Sequence, residues 1–248
     1  MMVPVENEPA EHMPERLARL ERLVERSVGA VPAWRRQTRG EQRWPFTVAI
    51  GAMIGLQLLL PERLSAGPRW VLPVIEVAII AILIAANPGR IERSSPPLRR
   101  LGLSLIIIAS LGNAWSVGML VVDIMTGRDI GNAAQLLASG GNVWLINVLT
   151  FSVWYWEVDR GGPTERALGS HEFPDLLFPQ MTAPRMAPPD WEPQFLDYLY
   201  LSFTNSTAFS PTDTMPLSRW VKFVMLLQSL ISLVTAALVV AKAVNALQ

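Results

Sequence analysis

The stretch DYLYLSFTNSTAFSPTDTMPLSRWVKFVMLLQSLISLVTAALVVAKAVNAL, residues 197–247, decides how this chain folds. Its second half, from Trp220 to Leu247, is apolar except for Lys222, Gln228, Lys242, Asn245 and a few hydroxyls. At about 1.5 Å per residue such a run makes on the order of 40 Å of helix, enough to cross a hydrocarbon core of about 30 Å. The preceding segment behaves differently. Phe195 to Phe203 is aromatic and suits a helix, whereas Thr204 to Thr214 gathers hydroxyls, an amide, a proline and a carboxylate. Backbone of that kind cannot face lipid, where its N–H and C=O groups would go unpaired, so protein or water must cover it. The expected arrangement is a short helix that enters the membrane, breaks into a polar loop and leads into a spanning helix, that is, a re-entrant hinge. Full crossing by Phe195–Thr214 is the alternative.

The other apolar residues also fall into blocks, namely Phe46 to Pro61, Trp70 to Asn87, Leu101 to Thr126 and Ile130 to Glu157. Turns at PERLSAGPR, PGRIERSSPPLRR and GRD separate them. The chain has 248 residues, 50% hydrophobic and 17% charged. The gathering of the apolar residues into blocks, rather than the average, excludes a soluble globular protein and predicts an all-α polytopic membrane protein with about five spanning helices plus the hinge. Four regions follow: a cytoplasmic N-terminal segment (1–45), a four-helix transmembrane region (46–157), a proline-rich loop (158–192), and the hinge with the last helix (193–248). The first block is the shortest and falls just below the usual spanning length, so it either spans with snorkelling ends or is the weakest of the expected crossings.

Composition also narrows the chemistry. A formal net charge of zero removes any global bias toward nucleic acid, and the absence of Cys excludes disulfide and thiol chemistry. His12 and His171 lie in separate polar segments, so no metal-ligand spacing exists and no metal or cofactor is expected. There is neither a nucleophile paired with a base nor a glycine-rich phosphate loop, and an enzyme is not expected.

The N-terminus carries Glu6, Glu8, Glu11 and Glu15 where a signal peptide would be basic, and is expected to be retained. From Pro14 to Val28, Leu17, Leu20, Val24 and Val28 share one side at helical spacing. That stripe fits a helix lying on the membrane, or a short coiled coil that helps to assemble an oligomer. Arg35, Arg36, Arg39 and Arg43, flanked by Trp34 and Trp44, then form a cytoplasmic anchor. With the N-terminus inside and a re-entrant hinge, Arg63, Arg69, Arg128 and Lys242 alone fall outside, and the other 17 of the 21 Lys and Arg fall inside. The reverse orientation opposes the positive-inside rule. Full crossing by the hinge gives 16 against 5, so charge does not separate it from re-entry. In the proline-rich loop, Phe173, Leu176, Leu177 and Phe178 read either as an interfacial segment or as a patch packing the loop onto the helices.

The string DYLYLSFTNSTAFSPTDTMPLSRWVKFVMLLQ resembles the pore module of the two-transmembrane ion-channel superfamily. In that family an aromatic pore helix ends in a Ser/Thr-rich step, followed by a filter of the type TVGYGD and the inner helix. Thr207 to Asp213 occupies the filter's place. Together with NVWLINVLTFSVWYWEVDRGGP upstream, the second half is also similar to an uncharacterised family of bacterial inner-membrane proteins. The likeness implies a bacterial inner (plasma) membrane and a pore-loop, channel-like protein conducting a monovalent cation as a homo-oligomer. Neither filter glycine is present, and Pro211 fixes φ near −65° and removes a donor, so potassium coordination is not expected.

Candidate pathway residues follow from these readings. At the hinge, the hydroxyls of Thr204, Ser206, Thr207 and Ser210 and the carboxylate of Asp213 would form rings if several subunits met on an axis, and Asn205 is a further pathway candidate. A plain helix break, with Asp213 or Thr214 capping the last helix and Pro216 in its first turn, is the bland counterpart. On the last helix Gln228 and Ser232 share a side with Ser229, which lines a conduit or packs. Glu76, about two turns into the second helix, is either part of an ion or proton path or a hydrogen-bonded carboxyl that holds helices together. Asn113, Asn142 and Asn147 are expected to face other helices, and Trp144, Trp154, Tyr155, Trp156, Trp191 and Trp220 to mark the interface. Three functions stay open: a channel-like pore lined by 204–213, a proton-coupled secondary transporter using Glu76, and a non-conducting membrane scaffold.

Overall fold

Helix starts follow the prolines. Pro45, Pro96, Pro163 and Pro179 each stand in the first turn of a helix, where the missing N–H would be unpaired in any case. The computed structural model describes residues 32–91, 95–127, 133–183, 186–207 and 213–245. In chain order the helices are α1 (Trp44–Leu58), α2 (Val71–Ala86), α3 (Pro96–Thr126), α4 (Ala133–Val158), α5 (Pro163–Leu168), α6 (Pro179–Thr182), α7 (Phe195–Thr207) and α8 (Arg219–Asn245). α3 and α5 stop at Gly127 and Gly169, whose φ of 64° and 65° lie in the left-handed region that favours glycine. A two-residue antiparallel ladder joins β1 (Leu176–Leu177) to β2 (Met215–Pro216), with Leu176 opposite Pro216.

The described residues are all-α apart from that ladder and one isolated bridge between Gln42 and Arg90, and α3, α4 and α8 are long and apolar enough to cross a membrane. α1 and α2 are apolar but shorter, at 15 and 16 residues. α4 is the axis of the fold, packing against α1, α3, α7 and α8. Around it lie Met53, Leu105, Val143, Ile146, Leu201 and Val221, all buried. The outer sides of the helices expose Val74, Ile107, Leu111, Leu226, Leu230 and Leu233. Such a surface suits lipid and would aggregate in water.

Small residues set the closest approach. A Cβ on Gly140 would stand 2.6 Å from Val239 Cγ2, so the α4 backbone there rests directly against the Val239 side chain of α8. Gly140→Leu is expected to lower the midpoint of thermal unfolding in detergent, through an overpacking cost of about 1–3 kcal/mol. Gly118→Leu, at a site open to its surroundings, should leave the midpoint near wild type, and equal effects would contradict the packing assignment.

One end of the bundle is held by buried charge. Arg166 donates to Glu41 Oε1 through Nε (3.1 Å) and Nη2 (2.6 Å), and through Nη1 to the carbonyls of Trp156 and Asp159. Trp156 Nε1 donates to the other Glu41 oxygen at 2.6 Å. Asp159 accepts from the backbone N–H of Asp175 (3.0 Å) and Leu176 (3.3 Å) and from Tyr198 OH (2.7 Å). Arg160 reaches the carbonyl of Trp34. Arg43 Nη1 donates to the carbonyl of Asn87 at 2.9 Å, and burial pushes its guanidinium below the usual range. The segment before α1, the α2–α3 turn, the end of α4 and the proline-rich loop thus meet at one place.

Several expectations shift. The hinge helix does not stop at Phe203 but runs to Thr207, because Thr204 and Thr207 return their hydroxyls to the carbonyls of Tyr200 and Phe203. Ser218, rather than Asp213 or Thr214, caps α8, its Oγ accepting from Val221 N at 3.3 Å. Pro216 lies in the ladder. Tyr155 and Trp156 are buried, not at an interface, because each has a polar partner inside the fold. In the proline-rich loop Leu176 and Phe178 are buried and Phe173 is exposed, which favours packing onto the helices. The helix expected at Pro14–Val28 lies outside the described residues, as does Ser210.

Candidate functional site

Three groups of buried polar side chains lie among the apolar helices. The first joins α1 to α2. Glu76 is fully buried, and Gln57 in the last turn of α1 donates to it, Nε2 to Oε1 at 3.1 Å. The remaining oxygen of each, Glu76 Oε2 and Gln57 Oε1, is buried and has no hydrogen-bond partner. Among the described residues no cation pairs with Glu76. Beside them is a cavity of about 20 Å³ lined by Gln57, Ser65, Arg69, Asn113 and Ser116 among others. A space of that size admits about one water. Its tightness has a visible cause in Gly112, where a Cβ would lie 2.3 Å from Leu72 Cδ2.

The second group crosses α3, α4 and α8. Asn113 Nδ2 donates to Asn147 Oδ1 at 2.9 Å, and Asn147 Nδ2 donates to Ser232 Oγ at 3.0 Å. All three are buried, and Asn113 Oδ1 has no partner. Asn113 also lines the cavity that Gln57 lines, so the first two groups share a border.

The third group ties α7 to α4 and α8 through Gln228, which is fully buried. Its Oε1 accepts from Tyr155 OH (2.5 Å) and Asn205 Nδ2 (2.9 Å). Its Nε2 donates to Ser202 Oγ and Ser206 Oγ, both at 2.7 Å, and to the carbonyl of Ser202 at 3.0 Å. Ser202 Oγ goes on to the carbonyl of Val148 (2.6 Å), and Ser229 Oγ to Asn205 Oδ1 (3.2 Å). Here every polar group has a partner, which makes the cluster rigid.

The sequence-derived candidates therefore separate. Asn205 and Gln228 meet in the third group, Ser232 joins the second, and Glu76 stands in the first. Thr204 and Thr207 use their hydroxyls on carbonyls of α7 itself. Thr207 and Asp213 are exposed, and Tyr200 OH points to Asp213 Oδ2 at 3.4 Å. Gln57, Ser202 and Tyr155 were not singled out as site residues, whereas Ser206, expected to line a ring at the hinge, accepts from Gln228. Gln57 carries a legible signal, an amide in the apolar run Phe46 to Leu60. Ser202, Asn205 and Ser206 also carry one, a polar stripe at spacings of three and four on an otherwise aromatic helix. Comparison with protein-family models, with curated proteins and with solved structures finds no match.

Proposed function

We propose that this is an integral membrane protein of the inner (plasma) membrane that moves a small cation along a polar track inside a single subunit, as a secondary transporter does. The observation that carries the reading is Glu76, a fully buried carboxyl between apolar helices, whose surroundings continue through Gln57, the small cavity and Asn113 to Asn147 and Ser232. Ionisable groups at such positions are costly and mark ion or proton pathways. In this reading the N-terminus is cytoplasmic, α1 and α2 also cross, and the segment 195–214 re-enters. Re-entry is supported by Tyr198 against Asp159 at one end of α7, by Phe203 against Trp144 further along, and by the return of β2 to β1. The Lys and Arg distribution supports the orientation.

The exposure of Thr207 and Asp213 favours a second reading, an oligomeric pore in which these residues face a common axis. Flux into liposomes holding the purified protein separates the two. Under imposed cation and proton gradients, flux is expected to fall at least tenfold in Glu76→Gln and to persist in Asp213→Asn. The opposite pattern would sink the track and support the pore. Silence under every gradient would leave neither.

A further inference from the structure

We propose that the ion held at Glu76 is a proton, shared with Gln57 in a cyclic acid–amide pair; its use in transport rests on the reading above, its existence does not. The two unpartnered oxygens belong to the two residues already joined by one hydrogen bond. With Glu76 ionised, both Oε2 and Gln57 Oε1 are acceptors and neither satisfies the other. A single proton on Oε2 changes this. The acid O–H donates to Gln57 Oε1 while Gln57 Nε2 donates to Glu76 Oε1, and all four polar ends are paired.

The surroundings select a proton over a metal cation. Hard cations are commonly held by about six oxygens. Here the unpartnered acceptors are Glu76 Oε2, Gln57 Oε1 and Asn113 Oδ1, beside a cavity of about 20 Å³. No group of three or more acidic or His side chains suited to a metal exists among the described residues. Nor, among the described residues, does a fixed positive charge hold the carboxylate ionised. From α1 it faces the amide of Gln57, and α3 contributes Asn113 and Ser116 at the cavity, all uncharged. Asp123, further along α3, is paired with Arg63 at 3.2 Å. Among the described residues Arg69 is the one charged side chain lining the cavity, and it is exposed, ahead of α2.

The path of the proton follows from the same neighbours. Leu72 and Pro73 line the cavity and Glu76 lies one turn deeper on α2, so Gln57, which lines the cavity and bonds the carboxyl, is the link between them. A hydronium that passes from the cavity to the acid–amide pair gives its proton to Glu76 Oε2 and becomes water. Return of the proton to water restores the carboxylate and leaves the two oxygens unpaired again.

Infrared spectroscopy of the purified protein tests the site without any transport assay. At neutral pH the wild type should show a carboxylic-acid C=O stretch, above the amide band, that moves in heavy water. Glu76→Gln should lack it, and Gln57→Leu should shift it to higher frequency, as a carbonyl freed of its donor does. Glu76→Gln should also unfold within a few degrees of wild type, since an amide can donate and accept in the same ring, whereas Glu76→Ala should unfold well below it. A wild type without that band at neutral pH, or a band unmoved by both Glu76→Gln and Gln57→Leu, overturns the proton site. Flux that fails while the band behaves as stated removes the transporter and keeps the site.

Discussion

Arg166→Ala is expected to cost the fold about 3–5 kcal/mol, the usual consequence of removing one member of a buried ion pair. The reason is what remains behind. Glu41, nearly buried, would keep only Trp156 Nε1, and the carbonyls of Trp156 and Asp159 would lose their donor. For a chain of this size the midpoint of thermal unfolding should drop by about 6–20 °C. Arg166→Lys should recover only part of the loss, because an ammonium cannot reproduce the planar fork that reaches a carboxylate and two carbonyls at once. Glu41→Leu combined with Arg166→Met should recover more, since burying a charge pair stabilises little compared with apolar packing. A drop of a degree or two in Arg166→Ala would show that the end of the bundle is held by something else.

Gln228→Leu is expected to loosen α7. Leucine matches the size of glutamine and removes every polar contact, so the loss measures the hydrogen bonds more than the packing. Ser206 Oγ would lose its bond to Gln228, Tyr155 OH would be left with the long contact to Asn205, and the carbonyl of Ser202 would lose a donor. Asn205 keeps the carbonyl of Met225 and Ser202 keeps that of Val148, which limits the damage. At roughly 1–3 kcal/mol for each buried group left unpaired, the sum should be on the order of 2–4 kcal/mol. Amide exchange is the informative readout. Protection should fall through α7 and change little in α1 to α3. Uniform loss across all helices would mean that Gln228 supports the whole bundle, and unchanged protection of α7 would mean that aromatic packing alone holds it.

Much of the architecture was legible because lipid imposes simple rules on a sequence. The runs beginning at Trp70 and Trp220 became α2 and α8 within two residues, since an apolar stretch bounded by Pro, Gly and Arg has few ways to end. Glu76 was also legible, as one carboxylate in an apolar run. Its partner was not weighed, because Gln57 lies 19 residues away on another helix and only packing brings the two together. Gln228 was read as facing a conduit or a packing surface, and a helical stripe cannot tell these apart. What decides is whether the neighbouring helix offers matching donors and acceptors, and α7 does, through Ser202, Asn205 and Ser206. Glu41 was not singled out among the arginines that precede α1, since nothing local distinguishes a carboxylate that will be buried from one that will stay wet. The hydroxyls of Thr204 and Thr207 were assigned to a loop, although threonine can return its hydroxyl to the preceding turn and continue a helix.

The pair of Glu41 and Arg166 also orders events during synthesis. The two residues are 125 positions apart, with α1 to α4 between them. At about 5–20 residues per second, Glu41 is added to the chain on the order of 6–25 s before its partner. Throughout that interval the nascent chain carries an unmatched carboxylate at the mouth of its first helix, which water must hold outside the bundle. The helices can therefore form one at a time, but closure of this end waits for α5. A chain cut short before Arg166 would hold α1 to α4 and still lack the closed end.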